Sequence, residues 1–423
     1  MNKKIFDVIV VGGGSAGVAA AWGVASFGAE ALIIEKNNCL GGASTMRNVV
    51  TYCGLYTLED RPKLVVGGVA DYILAGLKKR DAITKPQRHR GVFSVFDPES
   101  LKTVLDEVCS IPGISLLMGS VVSAVERSEE NLVSVTVVNH SGQTEYFAKA
   151  FVDCSGDGDL SEFGGAKTRY GNYQDVNLGT LGIRFGGIPG TVSVTSKDIE
   201  EAVTNMFPSL EGITKKRSVV ARMPISFDLV SYLASEAYDA RDPVSMTFAE
   251  KNGRQQSWCY LQAIRSISGC GQAYIVSTGP EFGTRESRHI TSREQLKWSD
   301  IQARSKFDDC IALGAWGAEW HDRRSYESTF DYSPNKSAYD IPLSCLWSKN
   351  TPNLFAAGRL ADGDRLAGAA IRVMGTAFAT GHAAGIAAAH AAAGQNWGIK
   401  DIQKTLKHQG GILEMKDARE ISL

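Results

Sequence analysis

The chain opens on a dense apolar run. Ile5 to Val11 is apolar at every position but Asp7 and rich in β-branched residues, the pattern of a strand buried on both faces. It runs straight into Gly12-Gly13-Gly14-Ser15-Ala16-Gly17, and an alanine-rich helical stretch follows from about Ala16 to Phe27. Gly28 stands where a helix C-cap is expected, and Ala31-Leu32-Ile33-Ile34 reads as a second strand ending at Glu35. Further along, Val69, Ile73, Leu74 and Leu77 recur at helical spacing within Val65–Lys78, and Lys78 to Arg90 is a basic loop. Asp97-Pro98-Glu99 opens a helix to about Val108. Two short strands are predicted between Gly113 and Val125. A hairpin of Leu132–Asn139 with Glu145–Ala150, turning at Ser141-Gly142, leads into the buried strand Phe151-Val152-Asp153.

From 171 to about 283 the texture changes. Leu178–Phe185, Val219–Ile225, Ser257–Ile264 and Ala273–Ser277 read as strands, and Ser196–Phe207 and Phe227–Ala237 as helices. A helix capped by Ser299, with Gln302 three residues on, is expected to reach about Leu313. A short strand ends at Gly358-Arg359, and a long Ala/Gly helix begins near Gly375. The pattern predicts an α/β protein. A Rossmann-like dinucleotide-binding domain with a central parallel sheet occupies 1–170 (with an insertion at about 46–95) and 284–423. A mainly antiparallel α+β substrate domain, 171–283, is inserted between the two parts.

The glycine turn has a physical task at each position. Gly12 permits the tight turn, Gly14 lets backbone approach a pyrophosphate, and Gly17 lets the helix pack close to the strand. The helix start at Ser15 and Ala16 offers free N–H groups and the positive end of a dipole. Glu35 lies roughly 20 residues on, where an acid accepts both hydroxyls of an adenosine ribose, with Lys36 beside it. Leu40-Gly41-Gly42-Ala43-Ser44-Thr45 suggests backbone lying against a ligand.

Composition narrows the class. The 423 residues are 43% hydrophobic and 22% charged, with a net charge of −1, which argues against nucleic acid as a main partner. The basic start is followed by too short an apolar stretch for a signal peptide, and Gly375–Gly394 is too weakly apolar for a membrane span. A cytoplasmic protein is expected. Eight cysteines form no Cys-x-x-Cys, so neither a redox dithiol nor a metal framework is predicted. Cys53, and more remotely Cys39, are the thiols to test for reactivity.

Five motifs in order carry a resemblance. Leu40–Thr45 reads Leu-Gly-Gly-x-x-Thr and Ser155–Asp159 reads Ser-Gly-Asp-Gly-Asp. Gly283–Arg288 reads Gly-x-Arg-Glu-Ser-Arg, Asn353–Arg359 reads Asn-Leu-x-x-Ala-Gly-Arg, and Arg372–Met374 reads Arg-Val-Met. With the opening turn, the chain resembles the FAD-dependent oxidoreductases of the glutathione-reductase-like superfamily, in a bacterial branch, over residues 5–394. The resemblance implies non-covalent FAD. Its adenosine end would lie on Gly12, Gly14, Ser15, Ala16, Gly17, Glu35 and Lys36, with the Val121 or Val122 backbone beside the adenine. Its flavin end would be held by Gly42, Ser44, Thr45, Ser155, Gly156, Asp157, Gly358, Arg359 and Gly375, Thr376 and Ala377. A helix starting near Gly375 would aim N–H groups at the flavin, and Arg372 would add a positive charge.

No second dinucleotide fingerprint follows, since Gly269-Cys270-Gly271 lacks the third glycine and its context. The electron partner would therefore be the substrate or an external donor or acceptor. Arg285, Glu286, Arg288 and His289 are the candidate catalytic residues: arginines for a carboxylate, His or Glu for a proton. The competing reading has Glu286 pairing with its neighbours to tie the insertion to the core. Tyr260 and Arg265 are weaker candidates. The expected function is dehydrogenase or reductase chemistry on a small polar molecule by hydride transfer, with homo-oligomerisation possible and no metal. An RNA-modifying flavoprotein and a non-catalytic escort protein are the alternatives.

Overall fold

The computed structural model describes residues 4–172, 175–206, 212–394 and 397–423. Its centre is a sheet whose order begins Ile114–Leu117, then Ala31–Ile34 (β2), then Ile5–Val11 (β1), then the long strand Gly142–Asp153. These four run parallel. The expected hairpin and the expected buried strand are one continuous strand. Gly142–Phe147 pairs antiparallel with Asn131–Asn139, and Phe147–Asp153 pairs parallel with β1. Its last three residues also take Leu354–Ala356 as a parallel partner. A strand near the N-terminus and one near the C-terminus thus lie on opposite edges of Phe151–Asp153.

Ser15–Ser26 (α1) covers one face of the sheet, as the alanine-rich pattern predicts, and Gly28 follows with φ +93°. Packed on it is the glycine-rich helix Met374–Ala392. Glycines set that contact. A Cβ on Gly381 would fall 2.1 Å from the Ala16 carbonyl oxygen, and one on Gly385 2.2 Å from that of Ala20. The Ala/Gly composition is therefore a close backbone-to-backbone packing surface. Among the described residues, no helix is long and apolar enough to cross a membrane. The 46–95 stretch, expected as an insertion, is built into the same core through Tyr52, Leu55, Val69 and Ile73.

Residues 170–282 contribute a second core. Val220–Arg222, Leu229–Ser231, Ile183–Gly186 and Tyr274–Thr278 form a four-stranded antiparallel sheet. Helices Ser196–Met206 and Pro243–Ser266 pack with it around Phe185, Leu229, Tyr260 and Ile264.

Three expected elements differ. Ser257–Ile264 is helical: Gly253, Ser257, Tyr260, Leu261 and Ile264 are buried at helical spacing, within a helix begun by Pro243 and capped by Asp242. Phe227–Ala237 is not a helix but two buried strands: Leu229–Ser231 lies within the four-stranded sheet, and Ser235–Glu236 pairs with Gly179–Thr180. The helix expected to reach Leu313 runs only from Trp298 to Ala303, because Arg304 adopts a left-handed conformation, φ +57°. Asp300, rather than Ser299, serves its start, accepting from the Lys297 N–H at 3.2 Å. Cys310–Gly314 is a fully buried strand paired with Tyr339–Pro342.

Candidate active site

The turn after β1 shows why its glycines differ. Gly12 has φ +97°, and a Cβ there would lie 2.3 Å from the Cys154 carbonyl oxygen. A Cβ on Gly17 would lie 1.7 Å from the Gly12 oxygen. Both are glycine for the protein's own packing. Gly14 is different: its φ is an ordinary −71°, and a Cβ would meet nothing closer than the Gly42 Cα at 3.9 Å. Its side is open, as a pyrophosphate cradle requires. Gly41–Gly42 forms the facing wall, with the Gly41 N–H donating to Gly13 O at 2.9 Å. The first helical bond of α1 is Val18 N–H to Gly14 O, 3.0 Å, so the N–H groups of Ser15, Ala16 and Gly17 stand outside its ladder.

Glu35 is buried at the end of β2. Its carboxylate accepts from the Gly13 N–H (2.6 Å) and the Asn37 N–H (2.8 Å), which fixes it beside the turn. The Ser120 N–H donates to Glu35 O (3.0 Å), so the strand carrying exposed Val121 and buried Val122 starts alongside. Lys36 faces Glu281, Nζ to Oε1 3.5 Å. Ser44 and Thr45 spend their hydroxyls on Gly41 O and Leu40 O, both 2.7 Å, shaping the loop.

The residues expected at the flavin end come from distant segments. A Cβ on Gly358 (φ +69°) would lie 3.2 Å from the Ala16 Cβ and 3.8 Å from the Ala377 Cβ, so the Asn353–Arg359 motif reaches the start of both helices. Arg359 donates to Asp157 Oδ1 (3.2 Å) and Thr284 Oγ1 (3.1 Å), directly over Gly156. Burial would raise the Asp157 carboxyl, but Arg359, Arg47 and Lys36 outweigh it and hold it below the usual range. Ser155 is occupied locally, donating to Asp153 and accepting from the Gly158 N–H.

The glycine-rich helix starts as expected. Its first helical bond is Ala377 N–H to Val373 O, 2.9 Å, leaving the N–H groups of Met374, Gly375 and Thr376 outside the ladder. Gly375 is glycine for packing, since a Cβ would lie 2.5 Å from the Cys53 oxygen. The Thr376 hydroxyl, at the helix's positive end, is buried beside Gly54 with no hydrogen-bond partner in the protein. Cys53, on Thr51–Cys53, is not an activated thiol: burial, then Glu319, pushes it up to about 12.

The four charged residues after Gly283 separate. Glu286 and His289 bond each other, Oε1 to Nε2 2.9 Å, and both are buried. Glu286 also accepts from the Asn177 N–H and Nδ2 (2.9 and 3.0 Å), while His289 Nδ1 meets Ala361 O at 2.9 Å. The bonds to Asn177 and Ala361 tie the segment carrying this pair to the rest of the scaffold, the arrangement the competing reading describes. Arg288 turns to the Asp157 carbonyl (3.0 Å) and to Asp159 and Glu162. Tyr260 and Arg265 bond the carbonyls of Lys215 and Ala273. Arg285 alone faces a polar interior.

Several residues there carry no sequence signal. Arg47 links Glu281 (3.3 Å) to Thr284 Oγ1 (2.8 Å). The strand Ala318–His321 brings Glu319 and His321; Arg372 Nη2 donates to Glu319 O at 3.1 Å. Burial, then Arg285, Lys215 and Arg372, hold His321 well below its ordinary pKa, so it is neutral. Among the described residues no cluster of three His, Cys, Asp or Glu side chains could hold a metal ion.

Known proteins resemble this chain in fold and in sequence profile. A crystal structure of a geranylgeranyl bacteriochlorophyll reductase-like protein from Thermoplasma acidophilum superposes with a TM-score of 0.50 over 98% of this chain and 86% of that one, at 13% identity. A myxobacterial FAD-dependent halogenase gives 0.49 over 96% and 79%, at 15% identity. A thiamine thiazole synthase from Aeropyrum pernix is 64% identical over 36 residues, 8% of this chain and only 13% of that protein's length. The profile of the FAD dependent oxidoreductase family matches residues 7–406. The chain belongs to the FAD-dependent oxidoreductase family, with FAD as its cofactor.

Proposed function

We propose that this flavoenzyme is a dehydrogenase or reductase acting on a small polar organic molecule, and that its flavin core is of the glutathione-reductase-like type. FAD, when bound, supplies the hydride or electron-pair chemistry; the chain's task is position and electrostatics. Gly14, Gly42 and the α1 start would seat the pyrophosphate, Glu35 the ribose, and the start of the glycine-rich helix with Thr376 the flavin's polar edge. The observation that carries the reading is the open N-terminus of that helix, with its unpartnered Thr376 hydroxyl, beside the polar interior of Arg285, Arg372 and His321.

The chain's residues divide the work. The helix start and Arg372 favour negative charge at that edge, which lowers the barrier to reduction. Neutral His321, with Nδ1 unpartnered and Nε2 3.7 Å from Glu319 Oε1, is the group placed to hold or move a proton. The family assignment favours an enzyme over the escort alternative.

Anaerobic photometry of the flavin band against carboxylic acids, amines, alcohols and NAD(P)H tests this reading. Bleaching by one of them, with a product two electrons more oxidised, is expected. Incorporation of oxygen or halogen into the substrate as the sole turnover would contradict it.

A further inference from the structure

Most inward-facing arginines of this protein have a carboxylate partner. Arg47 with Glu281, Arg169 with Asp362, Arg184 with Asp228, Arg288 with Asp159 and Arg359 with Asp157 stand at 2.6–3.4 Å. Arg285 and Arg372 do not: among the described residues neither makes an ion pair. Arg285 gives Nη1 to Leu178 O (2.5 Å), Arg372 gives Nη2 to Glu319 O (3.1 Å), and the Arg372 Nε–H is buried with no partner.

Both are fastened to one strand. The Leu178 carbonyl that receives Arg285 belongs to a residue whose own N–H donates to His321 O at 2.9 Å. Glu319, whose carbonyl receives Arg372, is two residues from His321 and so shares its face of the strand. His321 is 6% exposed and its Nδ1 has no partner. The groups feel one another: burial and then Arg372 bring Arg285 down to about 10, and burial and then Arg285 bring Lys215 down to about 8. Glu319 is the carboxylate these three cations share, with Glu286 also acting on Arg372 and Glu327 on Lys215, and none of these closes an ion pair with Arg285 or Arg372. Cations drawn from water without a counter-charge are unfavourable until an anion reaches them. Guanidinium forks match the plane of a carboxylate, and a neutral imidazole N–H can complete the set.

We infer that Arg285 and Arg372 receive a carboxylate group of the substrate, beside the start of the glycine-rich helix, and that the enzyme acts on an organic acid. This rests on the flavin site proposed above, because Arg372 immediately precedes the residue that caps that helix.

The test titrates the flavin-loaded full chain, at fixed ionic strength, with succinate and benzoate and with the matched neutral amides succinamide and benzamide. Flavin absorption and tryptophan fluorescence are both followed. At least one acid is expected to give a saturable change, and its amide none. Arg285→Gln should weaken acid binding by about tenfold or more with flavin content unchanged, and Arg285→Lys should recover part of it. Arg372→Gln reads the same contact should Arg285→Gln fail to fold. No saturable response to either acid, equal binding of acid and amide, or unaltered affinity in a flavin-loaded Arg285→Gln overturns the inference. A response reproduced by sodium sulfate alone overturns it too. A wild-type chain that takes up no flavin strikes at the flavin site instead; tryptophan fluorescence still reads acid binding in that case, so the two failures are told apart.

Discussion

Gly14 and Gly17 stand three residues apart and lack a side chain for opposite reasons. Gly17 is closed in by the chain itself, so Gly17→Ala forces α1 off β1. We expect a loss of about 3 kcal/mol or more in denaturant unfolding, with poor soluble yield. Gly14 faces open space and an ordinary backbone conformation, so the motif's spacing announces both roles and only the structure tells them apart. The charged cluster at Arg285–His289 teaches the converse. Four ionisable residues among five look like chemistry, yet the return of Ala361 and Asn177 buries Glu286 and His289 in bonds to the scaffold. His289→Ala should therefore cost about 3 kcal/mol of stability, because it strands a buried carboxylate, and should leave the pH profile of turnover in place. Burial would raise the Glu286 carboxyl, but its bonds to His289 and Asn177 hold it below its ordinary 4.5. Its contribution is complete above that pH and is lost as the pH falls through the lower folded value. Arg47, and Glu319 with His321 on the strand Ala318–His321, were illegible in sequence because they lie in segments with no local pattern to mark them.

The glycine-rich helix is where element-scale reading worked best and explains most. Its start near Gly375 follows from the Ala/Gly run alone, and its glycines match positions on α1 that only the fold reveals. His382 sits in that contact, T-shaped to Trp22 at 5.3 Å and bonded through Nε2 to Gln409 at 2.7 Å. Burial pulls it down to about 4 from an ordinary 6.5. As pH falls below 6.5 the unfolded chain takes up this proton first, so stability drops until the folded histidine also titrates near 4. At pH 5 the loss is about 2 kcal/mol. His382→Gln keeps a partner for Gln409 and should flatten thermal stability between pH 7 and pH 5. An unchanged pH dependence would show that other groups carry it. The elements misread were those in which composition and burial disagree: Ser257–Ile264 is rich in strand-forming residues yet buried at helical spacing, and the strands within Phe227–Ala237 take Ile183–Gly186 and Gly179–Thr180, distant in sequence, among their partners.

Across the whole molecule, the trough depends on two remote stretches meeting. β1 and Leu354–Ala356 flank one strand, and α1 and the glycine-rich helix pack through glycine, so Gly358 arrives beside Ala16. The order of motifs along the sequence made that meeting foreseeable, whereas the polar interior above it, assembled from 178, 285, 319–321 and 372, was not. We propose that FAD lies with its pyrophosphate against the bare side of Gly14. The direct measurement is flavin bound per chain in wild type and in Gly14→Val, with circular dichroism and unfolding followed in parallel. A valine there meets no protein atom closer than ordinary contact at its Cβ, so the fold should persist while flavin binding is abolished. A folded Gly14→Val chain carrying flavin at the wild-type ratio would contradict the claim.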